Sequence, residues 1–264
     1  MCLILFANRT HPEYPLVIAA NRDETYARPT APAAFWEDDP RICGGRDLEQ
    51  GGTWLGVTRG GAFAAVTNFR SNIGARNSIR SRGELVANYL RGRSGPAEYV
   101  TQVQPDADAY NGFNLLAGNL AELHFLSNRG DGCQIIEPGV HGLSNHLLNT
   151  PWPKVERGKQ RLGELLHSRG DELVDALFAM LGERTVAADN RLPETGVGVV
   201  RERILSPAFI VSPAYGTRSS TVLLIDRHRQ VSFIERSFGE GGVQIGTATV
   251  TFPLESALSP AAAA

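Results

Sequence analysis

The chain's pattern predicts an α+β fold, with mostly antiparallel sheets under helical covers in a four-layer αββα sandwich. Two observations carry that prediction. Strand-like and helix-like runs come in blocks, with hairpin turns throughout and no strand–helix alternation. This excludes a parallel βαβ sheet and leaves strands and helices segregated. The run Cys2-Leu-Ile-Leu-Phe6 is apolar at every position, so it belongs in the middle of a sheet, covered on both faces. With 264 residues, 42% of them hydrophobic, the chain can bury a sizeable core. We read one domain over 1–255 and a low-complexity tail over 256–264.

The first element is a hairpin. A second apolar run, Leu16-Val-Ile-Ala-Ala20, follows a turn-rich Asn8–Pro15. If Phe6 and Leu16 flank the turn, antiparallel pairing sets Cys2 opposite Ala20. The tetrad Asn21-Arg22-Asp23-Glu24 then leaves the strand end beside the chain terminus, which brings a cysteine, an arginine and two carboxylates together.

Residues 26–40, rich in Pro and Ala around Phe35-Trp36, read as an irregular loop with an aromatic anchor. Two glycine pairs, Gly44-Gly45 and Gly51-Gly52, lead into Thr53-Trp54-Leu55-Gly56-Val57. They match neither phosphate-loop pattern and read as tight turns into a strand, in a loop positioned to line a pocket. Trp54–Val57 and Ala62–Asn68 form a hairpin around Arg59-Gly60-Gly61. It ends in Val66-Thr67-Asn68-Phe69-Arg70, where Asn68 is either a plain turn residue or an oxyanion donor. The basic stretch 71–80 reads as a solvated loop. Ser81-Arg-Gly-Glu84 is a capping box opening a helix with Leu85, Val86, Tyr89 and Leu90 on one face, and Pro96–Val103 is a second helix.

Four strands follow as a meander: 112–117, 122–127, 133–137 and 140–144. Helices are expected over 153–168 and 171–181, and 185–205 as loop. Tyr215-Gly-Thr-Arg-Ser-Ser-Thr221 reads as a loop, a weak anion cradle, feeding strand 222–226, which pairs with 231–236.

The formal net charge of −2 gives no electrostatic case for nucleic acid. Cys2, Cys43 and Cys133 are too few and too scattered for a disulfide framework, so a reducing, cytoplasmic setting is the default. No apolar run reaches membrane-spanning length. The six histidines show no metal-binding spacing, and no metal or cofactor is expected.

Cys2 has two readings. It is a buried strand residue behind an intact Met1, or Met1 is removed and one residue carries both a thiol and a free α-amine, with reference pKa values near 8.5 and 8. The amine then serves as base for its own side chain. Arg22 would lower the thiol pKa or hold a substrate carboxylate, and Asp23 would orient the amine. A Cys2–His146 pair is a further arrangement.

Taken together, Met1-Cys2, Asn21–Glu24, Gly51–Gly56, Val66–Arg70, Ser81-Arg82-Gly83, Leu143-Ser144-Asn145 and Tyr215–Thr221 resemble the NRDE family across about residues 1 to 238. Its eukaryotic members are called transport and Golgi organisation proteins. The resemblance implies a branch of the amino-terminal-nucleophile (Ntn) hydrolases, whose cysteine amidases cleave penicillin V, bile-salt amides and ceramides. Cys2 matches their nucleophile. Arg22 and Asp23 match an Arg and an Asp spaced Arg-x-x-Asp in those amidases but adjacent here. Asn68 resembles the oxyanion donor, Asn145 the second amide, and Arg218 a late arginine near the nucleophile. Asn21, Glu24, Trp54, Arg70, Thr217 and Ser219 are the accompanying substrate-binding candidates. The resemblance implies hydrolysis of an acyl amide or thioester. A second reading is a carrier of an amphipathic anionic ligand such as an acyl-CoA, a lipid or haem, with Arg22, Arg70 and Arg218 meeting its carboxylate or phosphate.

Overall fold

The computed structural model describes residues 2–71 and 80–255. Thirteen strands and five α-helices are found among them: β1 (Cys2–Asn8), β2 (Leu16–Thr25), β3 (Thr30–Phe35), β4 (Ile42–Asp47), β5 (Leu55–Thr58), β6 (Phe63–Asn68), α1 (Arg82–Arg91), α2 (Pro96–Val103), β7 (Phe113–Gly118), β8 (Leu123–Ser127), β9 (Gly132–Ile135), β10 (Gly139–Leu143), α3 (Pro153–Glu164), α4 (Gly170–Leu181), α5 (Val199–Leu205), β11 (Tyr215–Ile225), β12 (Gln230–Phe238) and β13 (Gln244–Pro253). All strand pairs in the two sheets are antiparallel. One sheet runs β10-β1-β2-β11-β12-β13, the other β3-β4-β5-β6-β7-β8-β9.

Strand alternation separates three apolar layers. Ile4, Phe6, Ile18, Leu223 and Phe233 face Val57, Phe63, Leu116 and Phe125 between the sheets. Leu3, Leu5, Val17 and Leu224 face α3 and α4 through Val155, Leu162, Leu177 and Leu181. Val66, Leu115 and Leu126 face α1 and α2 through Leu85, Leu90, Tyr99 and Val100. The result is the αββα sandwich, and β1 is buried on both faces as its uniform apolarity requires.

The register of the first hairpin differs from expectation. β1 extends to Asn8, which pairs with Leu16, so Cys2 lies opposite Arg22, not Ala20. The two-residue slip preserves the faces, because side chains repeat every two residues. Asn21–Glu24 lie inside β2 instead of leaving it, since β11 continues the ladder on their other side.

Several other expectations are corrected. The loop expected over 26–40 contains edge strand β3. Gly44-Gly45 lie within β4: a Cβ at Gly44 would stand 2.7 Å from the Leu55 carbonyl oxygen, and one at Gly45 would stand 2.2 Å from the Trp54 ring. Ser81 makes no side-chain capping bond, and the Glu84 carboxylate pairs with Arg80 and not with the helix start. β10 leaves the meander to pair with β1. Helix α5 occupies part of 185–205. Arg218–Thr221 is strand, not an anion-cradling loop. β13 lies beyond the last expected strand. Cys133, expected in the core from its place in a strand, is exposed on edge strand β9. Most of the basic stretch 71–80 and the whole of 256–264 lie outside the described residues.

Gly52 sits where two backbones meet. A Cβ there would stand 2.6 Å from the Gly83 carbonyl carbon, and the Thr53 N–H donates to the Gly83 carbonyl at 3.3 Å. Neither backbone can turn aside as a side chain would. Gly52→Ala is expected to cost about 1–3 kcal/mol, read as a lower thermal midpoint.

Candidate functional site

Cys2 opens into a cavity of about 580 Å³, also lined by Arg22, Asp23, Glu24, Trp54, Asn68, Arg82 and Tyr215. The cavity lies at the end of the first sheet, where β1 and β2 pass the close of β6 and the start of α1. Strand alternation puts Cys2 and Arg22 on the inter-sheet face with Ile4 and Ala20. The Arg22 guanidinium lies over the Trp54 ring at 4.5 Å and 3.5 Å from the Asp47 carboxylate.

Burial pushes the Cys2 thiol above its ordinary range. The Asp23 backbone N–H and Arg22 oppose that shift, while the Asp23 carboxylate adds to it. Asp23 is raised by burial as well, with Lys154 among the charges holding it down. Its Oδ1 accepts from Thr217 Oγ1 at 2.7 Å. The thiol and this carboxylate therefore influence one another directly.

Behind Cys2 the sheet ends are joined by hydrogen bonds. Ser144 Oγ donates to the Cys2 carbonyl at 3.0 Å, and Thr67 Oγ1 donates to the Ser144 carbonyl at 2.6 Å. Asn145 Nδ2 donates to Asn68 Oδ1 at 2.9 Å. With that oxygen engaged, Nδ2 is the donor Asn68 can offer the cavity. Asn145 itself is fully buried behind Asn68 and does not line the cavity. It orients the donor that does.

Other candidates fall outside the cavity. Arg70 is buried in an ion pair with Glu202 at 2.5 Å and donates to Asn145 Oδ1 at 3.3 Å. Asn21 faces the helical layer, donating to the Leu181 and Ala208 carbonyls at 2.9 and 2.8 Å. Thr217 is buried and holds Asp23. Ser219 and Arg218 line a separate cavity of about 250 Å³. The β2–β11 register jumps from Thr217 to Ser219, so Arg218 is the extra residue of a bulge. Its guanidinium donates to the carbonyls of Thr25, Tyr26 and Arg28, which clamps the β2–β3 turn. His146 bonds Thr150 at 3.0 Å and lines a cleft beside Phe69 and Arg70, so no Cys2–His146 pair forms.

A profile of the family described as "Transport and Golgi organisation 2" matches residues 1–240. The chain belongs to that family. Similar relatives are the Transport and Golgi organization protein 2 homologs of Bos taurus, 38% identical over 97% of this chain and 100% of that one, and of Homo sapiens, 36% identical over 97% and 100%. Among solved structures, a mutant conjugated bile acid hydrolase from Clostridium perfringens superposes with a TM-score of 0.50 at 6% identity, over 95% of this chain and 92% of that one. That likeness shows an Ntn-hydrolase fold.

In this Transport and Golgi organisation 2 chain, sequence reasoning missed three contributors. Lys154 is buried, donates to the Leu205 carbonyl at 3.0 Å, and is pushed by burial down to about 8 with Asp23 as its leading opposing charge. A lysine in the first turn of an amphipathic helix carries no sequence signal of that environment. Glu202, the partner of Arg70, lies in a segment read as loop. Arg82 lines the Cys2 cavity. Its signal was present in the Ser81-Arg82-Gly83 motif, but nothing in the sequence aimed it at Cys2. Among the described residues, no group of three or more His, Cys, Asp or Glu could hold a metal ion, and no helix is long and apolar enough to cross a membrane.

Proposed function

We propose that this protein is a cysteine hydrolase of the Ntn type, acting on the amide C–N or thioester bond of a small acyl metabolite, with Cys2 as nucleophile after removal of Met1. The observation that carries this reading is the meeting of Cys2, the first residue of β1, with Asp23 and Asn68 at one polar cavity. The fold shared with a protein named as a bile acid hydrolase supports it.

The resting thiol is raised by burial, so attack needs a base. The α-amine of a terminal Cys2 fills that role, accepting the thiol proton as sulfur bonds to the carbonyl carbon. Charge moves to the carbonyl oxygen, where Asn68 Nδ2 donates, oriented by Asn145. Collapse breaks the C–N bond, the ammonium returns its proton to the leaving amine, and water then hydrolyses the thioester. Asp23 holds the amine in place. Asn68→Ala is expected to lower kcat about 10²–10³-fold, with KM little changed, in steady-state kinetics.

The reading is tested by intact mass and a panel of acyl amides, lactams and acyl thioesters. Mature protein lacking Met1 and turning over a panel member supports it. Met1 retained on active protein overturns the terminal-amine mechanism. Tight binding of an acyl-CoA, lipid or haem with no turnover across the panel favours the carrier reading. The polar, arginine-lined cavity is the observation on which that second reading rests.

A further inference from the structure

Four arginines line the Cys2 cavity: Arg22, Arg28, Arg80 and Arg82. Three are committed to carboxylates. Arg22 faces Asp47 and Glu24 at 3.5 and 4.0 Å. Arg28 pairs with Asp47 and Glu49 at 2.7 and 3.3 Å. Arg80 pairs with Glu84 at 2.8 Å. Arg82 forms no ion pair among the described residues. Its Nη1 donates to the Gly112 carbonyl at 3.3 Å, a neutral acceptor at the long end of hydrogen-bond range.

The environment makes that isolation costly. Burial lowers the Arg82 pKa, and the first charge opposing the shift is Cys2, followed by Glu24. The thiol cannot serve as a standing counter-ion, because its own burial favours the neutral form. Arg82 is half-buried, so its guanidinium gives up part of its hydration without gaining a carboxylate partner, and an anion in the cavity would supply one. Its planar fork of donors matches a carboxylate or a phosphate. The first turn of α1 adds to the same wall: Ser81 and Gly83 line the cavity beside Arg82, and no side chain caps that helix end. Arg70 and Arg218 cannot take that anion, since Arg70 is buried on Glu202 and Arg218 clamps three carbonyls.

We infer that Arg82 is the subsite for an anionic group, a carboxylate or a phosphate, carried by the molecule whose acyl carbon meets Cys2. The inference rests on the reading of Cys2 as the reactive group of this cavity and adds the chemical class of what it reacts with. An anionic substrate completes the Arg82 charge on binding. A neutral one leaves it without a counter-ion.

The test uses Cys2 as reporter and needs no substrate. Iodoacetate and iodoacetamide alkylate the same thiol and differ in one negative charge. Cys2 labelling is followed by mass spectrometry in the full-length protein and in Arg82→Met, with Arg82→Gln as the second variant should methionine disturb α1. The expected result is that the iodoacetate-to-iodoacetamide rate ratio falls about tenfold or more, the size of one charge-assisted hydrogen bond, beyond any fall common to both reagents from the loss of a positive charge near the thiol. An equal fall with both reagents assigns Arg82 to the thiol and overturns the inference, as does an unchanged ratio. If Cys2 is inert to both reagents, the nucleophile reading fails, and the melting shift given by inorganic phosphate and by acetate decides the subsite separately. A shift from either ion that is lost in Arg82→Met supports it and tells phosphate from carboxylate. A shift from neither, or one that survives the substitution, overturns it.

Discussion

Cys2→Ala is expected to reduce turnover of any panel substrate by about 10⁴–10⁶-fold, the loss seen when a covalent nucleophile is removed. Among the described residues Cys2 is the only cysteine lining the cavity. Cys43 is buried in the inter-sheet core, where burial pushes its thiol up to about 12, and Cys133 is exposed on β9 at the edge of the other sheet. Neither can substitute. The alanine fits the site, since β1 is held by its ladders to β10 and β2, so ligand binding should survive. Steady-state rates and binding titrations on one preparation read both. Turnover within tenfold of wild type in Cys2→Ala would sink the covalent mechanism.

The second large effect is on stability. Arg70→Met is expected to cost about 3–5 kcal/mol, because it leaves Glu202 buried and charged without its partner. Both side chains are about 5% exposed or less, so solvent screens the pair little. In a chain of this size the loss corresponds to a fall of roughly 10 °C in thermal midpoint. The double variant Arg70→Met/Glu202→Leu should recover most of it, since replacing a whole buried pair by apolar side chains is often neutral. Thermal melts of the two single variants and the double variant close the cycle. A single variant as stable as the double would show the pair to be unimportant. Because Arg70 also donates to Asn145, which bonds Asn68, the proposed oxyanion role of Asn68 predicts that a variant that still folds loses kcat as well.

The pH behaviour of the buried lysine follows from the same arithmetic. Lys154 titrates at about 8 in the folded protein against about 10.4 in an unfolded chain. Between those values the unfolded state binds more protons, so the contribution of this group to stability rises with pH across that window and is smallest below 8. Denaturant midpoints measured across it in wild type and Lys154→Met should differ in slope with that sign.

Much of the fold was legible because the signals are local. The uniform apolarity of Cys2–Phe6 placed β1 centrally, Leu85, Val86, Tyr89 and Leu90 gave the buried face of α1, and Pro96 marked the start of α2. Edge strands β3 and β13 were missed because they are half-exposed and rich in Ala, Thr and Gly, which weakens the apolar alternation that identifies a strand.

The sequence by itself determined that Cys2 and the Asn21–Glu24 tetrad share one end of a hairpin. Pairing of neighbouring strands is close to one-dimensional, and a slip of two residues moved Cys2 from Ala20 to Arg22 without changing its face. Tertiary structure alone decided what surrounds that thiol. The bulge after Thr217 turned Arg218 onto backbone carbonyls, the junction of the two sheets set Asn145 behind Asn68, and packing of α1 and α3 brought Arg82 and Lys154 within electrostatic reach of Cys2. Each of these side chains was visible in the sequence, but its partner and its burial depend on contacts between segments 77 to 193 residues apart, which no local pattern encodes.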